Sequence, residues 1–274
     1  MTTVPARSLT ATVVAVVSRD TRAEVAETLA SLSKISGVRP IIVSLGDSCE
    51  PPLRDEDGAM VIDGLVPRYL NNAVASLRLS SLPTLAWWRA GGAAGLHDLA
   101  ALVDRVVMDL EDPSDGWALV PGMAPLASVS DVRWARLTRW RDLIAQFFDM
   151  PEVRESFTAD RLEVVGTDRH DARLLGGWLK ARLPFADRLS VAAESGGSAR
   201  VQSVRLSGPT GSLSVRLLPT GTCLETTVDM QAGHSSSRVV ALGDQRLLSL
   251  LGQELRVRSR DLAFEDAVRE AERL

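Results

Sequence analysis

At 274 residues the chain is too long for a disulfide-stapled miniprotein and short for three ordinary domains. Its 45% apolar and 24% charged residues exclude wholesale disorder, and a net charge of −4 argues against a nucleic-acid binder, whose affinity rests on neutralising phosphates. Cys49 and Cys223 stand far apart. With His97, His170 and His234 they form neither a disulfide framework nor a metal-ligand spacing.

In chain order, the β-branched run Thr12–Ser18 predicts a strand, and Asp20 can cap a helix from Arg22 to about Ser36. Val25, Leu29, Leu32 and Ile35 form the apolar face of that helix, and Gly37 ends it. Pro40–Leu45 is a second apolar strand, completing a βαβ crossover of the kind found in parallel sheets covered on both faces. Gly46–Gly58 reads as a polar loop, Ala59–Ile62 as a short strand, Pro67–Leu79 as a helix and Thr84–Trp88 as a buried strand. Leu96–Val103 follows as a helix and Arg105–Asp109 as a strand. Residues 1–112 therefore alternate β and α as in a doubly wound, Rossmann-like domain.

Residues 113–131 read as a linker, within a Pro-, Gly- and Ser-rich stretch that starts at Glu111. A long helix is expected over Val132–Phe148, with Leu137, Trp140, Ile144 and Phe147 along one stripe. Leu162–Gly166 is a strand, and Asp168–Leu183 a helix capped by Thr167 or Asp168. Four short alternating strands follow, Val201–Leu206, Ser212–Leu217, Cys223–Met230 and Arg238–Ala241, as in an antiparallel sheet. Helices over Gly243–Leu255 and Ser259–Leu274 close residues 132–274, an α+β domain. The expected fold class is α/β: a mostly parallel sheet first, then an α+β region with an antiparallel sheet and C-terminal helices.

Known chemistries find little foothold. The turn after the first strand, Ser18-Arg19-Asp20-Thr21-Arg22, has none of the glycines that let backbone N–H groups approach a phosphate, so Arg19 and Arg22 offer only side-chain contacts. The glycine pairs elsewhere make no GxGxxG. There is no GxSxG elbow and no cysteine beside a histidine. His97 and His170 read as solvated helix residues, and Asp55, Glu56 and Asp57 as a solvated loop without calcium-ligand spacing. The expectation is a non-enzymatic protein without metal or cofactor. No apolar stretch approaches a membrane span, so a cytoplasmic protein with no membrane or nucleic-acid partner is expected.

One constellation is dense. Of 31 basic residues only Lys34 and Lys180 are lysine, leaving 31 − 2 = 29 arginines, and six of the twelve aromatics are tryptophan. A GC-rich coding genome accounts for many arginines, but Arg and Trp are also the residue types that dominate interface energetics. Trp87-Trp88-Arg89 closes a strand at the sheet edge where open α/β folds place their sites. Arg133, Trp134, Arg136, Arg139, Trp140 and Arg141 crowd one helix, with Arg133, Arg136 and Trp140 on one line and Arg141 turned towards Leu137 and Trp134. Two readings stand side by side: an internal Arg–Trp packing cluster, and a docking surface of aromatic anchors and forked donors. The candidate partner-binding residues are Trp88, Arg89, Arg133, Arg136, Arg139, Trp140 and Arg141. An alternative function is a sensor or enzyme for sugar phosphates or nucleotides, with an anion site near Trp88, Arg89 and Arg141.

The strings Leu82-Pro-Thr-Leu-Ala-Trp-Trp-Arg89, Leu99-x-x-Leu102-Val-Asp104-Arg-Val-Val-Met-Asp109, Trp134-Ala-Arg-Leu-Thr-Arg-Trp-Arg-Asp-Leu143, Ala145-Gln-Phe-Phe-Asp149 and Ala172-Arg-Leu-Leu-Gly-Gly-Trp178-Leu-Lys-Ala-Arg-Leu183 together resemble the OpcA family of glucose-6-phosphate dehydrogenase assembly proteins. The resemblance covers roughly residues 10–185. It implies a non-catalytic partner of glucose-6-phosphate dehydrogenase that promotes the enzyme's active oligomer in the oxidative pentose phosphate pathway. The chain reads as a divergent member: only about ten residues precede the first strand, where the family usually has a helical segment, and Ser36-Gly-Val-Arg39 replaces the family's His-Pro-Ser-Arg. Cys49 and Cys223 match no motif for the thiol regulation associated with some members.

Overall fold

The computed structural model describes residues 9–183, 188–231, 233 and 235–274; His234 and the first eight residues lie outside this range. The chain divides into two compact units, Met1–Val132 with Arg246–Asp261, and Arg133–Gln245 with Leu262–Leu274.

The first unit is built on a seven-stranded sheet. Its strands are β1 (Ala11–Val17), β2 (Val38–Ser48), β3 (Leu53–Glu56), β4 (Ala59–Leu65), β5 (Thr84–Arg89), β6 (Arg105–Met108) and β7 (Ser128–Asp131), in the order β3-β4-β2-β1-β5-β6-β7. All neighbours pair in parallel except β3 with β4. Without β3, the parallel strands run 3-2-1-4-5-6 in chain order, the doubly wound arrangement. Val13–Val17 on β1 are almost wholly buried, as expected of a central strand covered on both faces.

Helix α1 (Arg22–Ser36) buries Val25, Leu29 and Leu32. Ile35, expected on the same stripe, is 66% exposed. Successive three-residue steps each drift about 60° around a helix, which carries position 35 off the buried face. The loop expected over Gly46–Gly58 contains the hairpin β3–β4, turned by Asp57 (φ 53°) and Gly58 (φ 85°). Positive φ at both central residues is the signature of the tight hairpin turn that Asp-Gly favours. The helix expected over Pro67–Leu79 is a 3₁₀ turn, Pro67–Tyr69, followed by α2 (Leu70–Leu77). After β5 comes α3 (Leu96–Ala100).

The stretch expected as a linker carries α4 (Ser114–Ala118), α5 (Val120–Met123) and edge strand β7. Pro and Gly at helix starts and turns disguised it as loop. Trp117 is fully buried, and its indole N–H donates to Asp131 Oδ2 at 3.0 Å.

The second unit carries a six-stranded sheet of order β13-β12-β11-β10-β8-β9. β8 (Arg161–Gly166) and β9 (Ser190–Ser195) are parallel. β10 (Ser203–Gly208), β11 (Gly211–Leu217), β12 (Cys223–Met230) and β13 (Ser235–Ala241) add antiparallel pairs. Register aligns Val164, Val204, Val215 and Thr226 in one row, and Leu162, Leu206, Leu213 and Val228 in the next, all buried. β9, Ser-rich and exposed, gave no apolar alternation in the sequence.

The helix expected over Val132–Phe148 is two helices, α6 (Val132–Arg136) and α7 (Thr138–Phe147), broken at Leu137. The Trp134 carbonyl accepts from the Thr138 hydroxyl at 3.5 Å and from Arg141 Nη2 at 3.3 Å. Such side-chain back-bonding competes with the amide ladder and bends helices. α8 (Pro151–Ser156) and α9 (Arg169–Arg182) follow. Near the C-terminus, α10 (Leu247–Glu254) belongs to the first unit and α11 (Leu262–Ala271) to the second. α10 packs beside α1, and α11 along α9.

Candidate functional site

The seven candidate residues divide between the units. In the first, Trp88 is fully buried and its indole N–H donates to the Gly92 carbonyl at 2.7 Å. Arg89 stands at the carboxyl end of β5. Its guanidinium forks onto Glu24 (3.2 and 2.8 Å) and lies 3.4 Å from Asp109. Two carboxylates therefore meet the Arg89 charge, which leaves that side chain no surplus attraction for an anion. Among the described residues, no group of three or more His, Cys, Asp or Glu could hold a metal ion, and no helix is long and apolar enough to cross a membrane.

The other five candidates lie in the second unit. Arg141 sits 3.3 Å above the centre of the buried Trp134 ring, which in turn packs at 56° against Phe264 of α11. A guanidinium stacked this closely gains both dispersion and attraction to the ring face. This pair is internal packing. Trp140 is 4% exposed, whereas Arg136 and Arg139 are half-buried. Arg139 Nε donates to the Ala241 carbonyl at 3.1 Å.

Arg133 leads to residues the sequence left unnoticed. It is buried and its Nη1 pairs with Asp168 and, at 3.3 Å, with Asp171. Arg200, 40% exposed, closes the same two carboxylates from the other side, with Nε 3.0 Å from Asp171 and Nη2 2.6 Å from Asp168. Asp168 also caps α9, its Oδ1 accepting the His170 N–H at 2.9 Å. Burial works to raise the Asp168 pKa. The hydrogen bond from Arg133, the charges of Arg133 and Arg200 and the His170 amide outweigh it and hold the carboxyl below its ordinary value. His170 itself is 8% exposed rather than solvated, because α9 turns its first turn inward.

Above this network lies a concavity of about 160 Å³, lined among others by Arg136, Trp140, Asp171, Arg200, Leu217 and Leu242. The line of Arg136 and Trp140 read from helical spacing is thus one wall of a real depression. Asp171, Arg200, Leu217 and Leu242, from other segments of the unit, line the rest of it. The arrangement combines an aromatic edge, aliphatic side chains and two guanidiniums, of which Arg200 is held by Asp168 and the buried Asp171. Chemically it suits recognition of a mixed apolar and acidic surface. The residues named offer no nucleophile–base pair.

A family model described as the C-terminal domain of the glucose-6-phosphate dehydrogenase subunit matches residues 127–268, which is 142 of the 274 residues. Two curated proteins, each named a putative OxPP cycle protein OpcA, are similar to the chain. The one from Synechocystis sp. is 25% identical over 245 aligned residues, covering 73% of this chain and 51% of its own length. The one from Nostoc punctiforme is 24% identical over 246, covering 73% and 52%. The chain therefore spans about half the length of the curated relatives it matches. Among solved structures, the transcriptional regulator Gal80p from Kluyveromyces lactis superposes with a TM-score of 0.54 at 8% identity, covering 96% of this chain and 90% of that one. That likeness concerns the fold alone.

Proposed function

The chain belongs to the family defined by the C-terminal domain of the glucose-6-phosphate dehydrogenase subunit, and from this premise we propose that it is a non-catalytic partner of glucose-6-phosphate dehydrogenase that favours the enzyme's active oligomer. The observation that carries the reading is that the family match takes in the Arg- and Trp-bearing helices α6 and α7 of the second unit. A partner can shift an oligomeric equilibrium only by binding one state better than another. The concavity of Arg136, Trp140 and Arg200, with Arg139 beside it on α7, is the docking face in this reading. Trp140 supplies an aromatic anchor in its wall and the arginines supply forked donors at its rim. Trp88, Arg89, Arg133 and Arg141 act indirectly, each by holding its own unit in shape.

The test is direct. Purified chain mixed with the dehydrogenase of the same host is expected to co-elute with it in gel filtration and to raise its kcat/KM or shift its oligomer. Absence of both co-elution and a kinetic effect would sink the proposal. Arg136→Ala and Arg139→Ala are expected to keep the melting temperature within a few degrees and to weaken co-elution. If Arg136→Ala and Trp140→Ala both unfold the second unit, the cluster is packing and the docking face lies elsewhere.

A further inference from the structure

The first unit holds a second concavity, independent of the docking face. At the carboxyl ends of β1, β2 and β4 lies a cleft of about 480 Å³ bordered by Arg19, Arg22, Arg54, Ser44, Glu56 and Asp63. The carboxyl edge of an open parallel sheet is where α/β folds bind ligands. Three guanidiniums face two carboxylates there, leaving one positive charge in surplus.

The donors are unequally used. Arg22 is pinned by Asp63, with Nε to Oδ1 at 2.8 Å, and by Glu56, with Nη2 to Oε2 at 2.8 Å. Asp63 is further held by the Ser44 hydroxyl at 3.2 Å. Arg54, 55% exposed, approaches Asp63 only at 3.7 Å. Arg19, exposed in the β1–α1 turn, has no hydrogen bond or ion pair among the described residues. The floor is bare backbone. Gly64 has φ +80°, its N–H donates to Ser44 Oγ at 2.9 Å, and a side chain there would meet nothing within 4 Å. Gly46 lets the β2 backbone pass close to Gly64, since a methyl group on it would stand 2.7 Å from Gly64 Cα.

We propose that this cleft binds the phosphoryl group of a small phosphorylated metabolite, with Arg19 and Arg54 as the forked donors and Arg22, held by Glu56 and Asp63, shaping the wall behind them. Guanidinium forks match phosphate oxygens two at a time, and several converging forks suit a tetrahedral dianion better than a planar carboxylate. The glycine-free turn after β1 excludes the mode in which backbone amides wrap a pyrophosphate, so side chains must carry recognition. A surplus of one charge on a chain of net charge −4 fits a small ligand and not a polyanionic nucleic acid.

Isothermal titration of the full chain with glucose 6-phosphate and with adenosine 5′-monophosphate tests this, with glucose and adenosine as uncharged controls. Saturable one-site binding of at least one phosphate-bearing probe is expected, with none for the controls. Which of the two binds tells whether the phosphoryl group is carried by a sugar or a nucleotide. Arg19→Ala and Arg54→Ala, neither of which removes a buried contact, are each expected to weaken binding about tenfold or more, the worth of a charge-assisted hydrogen bond. Arg205→Ala, at an exposed position in the other unit, should bind as the unaltered chain does. No binding by either probe, or affinity unchanged within twofold in the Arg19→Ala/Arg54→Ala double variant, overturns the proposal. Because the readout uses no dehydrogenase, its failure is separable from failure of the docking reading.

Discussion

Arg133, Asp168, Asp171 and Arg200 form a four-residue charge network in the second unit. The side chains of the buried Arg133–Asp171 pair are 8% and 2% exposed, and without Arg133 the Asp171 carboxylate keeps only the part-exposed Arg200 as its cation. Removing one partner of such a pair typically costs about 3–5 kcal/mol. Arg133→Ala is therefore expected to destabilise the second unit by up to that amount, Arg200 offsetting part of the loss, as measured by urea denaturation followed by tryptophan fluorescence. Asp168 adds a pH dependence. Its carboxyl is more acidic in the folded chain than in the unfolded one, so its contribution is complete above the ordinary Asp pKa of about 3.9 and is lost as pH falls through the lower folded value. Asp168→Asn can still cap α9 but carries no charge. Comparing urea midpoints at neutral pH and below pH 4, the variant is expected to lose less stability on acidification than the unaltered chain; an equal loss in both would place the acid-labile charge elsewhere. Local spacing made Arg133 conspicuous, and the capping pattern named Asp168. Nothing local announced Arg200, because ion pairs reaching it from Asp168 and Asp171, 32 and 29 residues earlier, leave no periodic trace.

Among the elements, close approach of α9 and α11 is set by Gly177. A methyl group at that position would collide with the Ala267 carbonyl oxygen and stand 2.7 Å from the Ala271 amide nitrogen. Gly177→Ala would ordinarily raise helix propensity by about 1 kcal/mol. Here the collision with backbone should reverse the sign, and a net loss of about 1–3 kcal/mol is expected in a denaturation curve. A gain in stability would show that the helices separate freely. Element type was legible wherever apolar residues recurred with a clean period, as in β1, α1 and β10 to β12. It failed for short or mostly exposed pieces. β9 has no buried alternation, α4 and α5 are five and four residues long, and β3 is exposed along its length. The Asp57-Gly58 pair did signal a hairpin, but the polar strand before it masked the pairing.

For the whole molecule, the route of the chain matters most. After Gln245 it returns to the first unit for Arg246–Asp261 and then re-enters the second with Leu262–Leu274. α10 contributes Glu254, which is buried and accepts from Arg105 Nε of β6 at 2.9 Å, while Arg105 Nη1 donates to Ser128 Oγ at 2.6 Å. α11 contributes Phe264 against Trp134. A chain truncated after Gln245 would thus leave Arg105 buried without its carboxylate and strip the apolar cover from α9. Such a chain is expected to lose near-ultraviolet circular dichroism and to expose apolar surface to dye. Native-like signals from it would show that each unit is complete without the last two helices.

Composition, period and turn chemistry by themselves determined the fold class: a doubly wound parallel sheet, then an antiparallel one. Those signals are local, since burial of alternate or every third to fourth side chain must be written into neighbouring positions. The tryptophan-rich strings also marked the segments that carry the family likeness. Only the tertiary structure decided which of those tryptophans are interior, that Arg89 is neutralised by Glu24 and Asp109, and that Arg136 and Trp140 share a depression with Arg200. It alone also gathered Arg19, Arg22 and Arg54 at one sheet edge. Charges can be compensated by any residue that folding brings within reach, and which residues those are depends on the path of the chain through space.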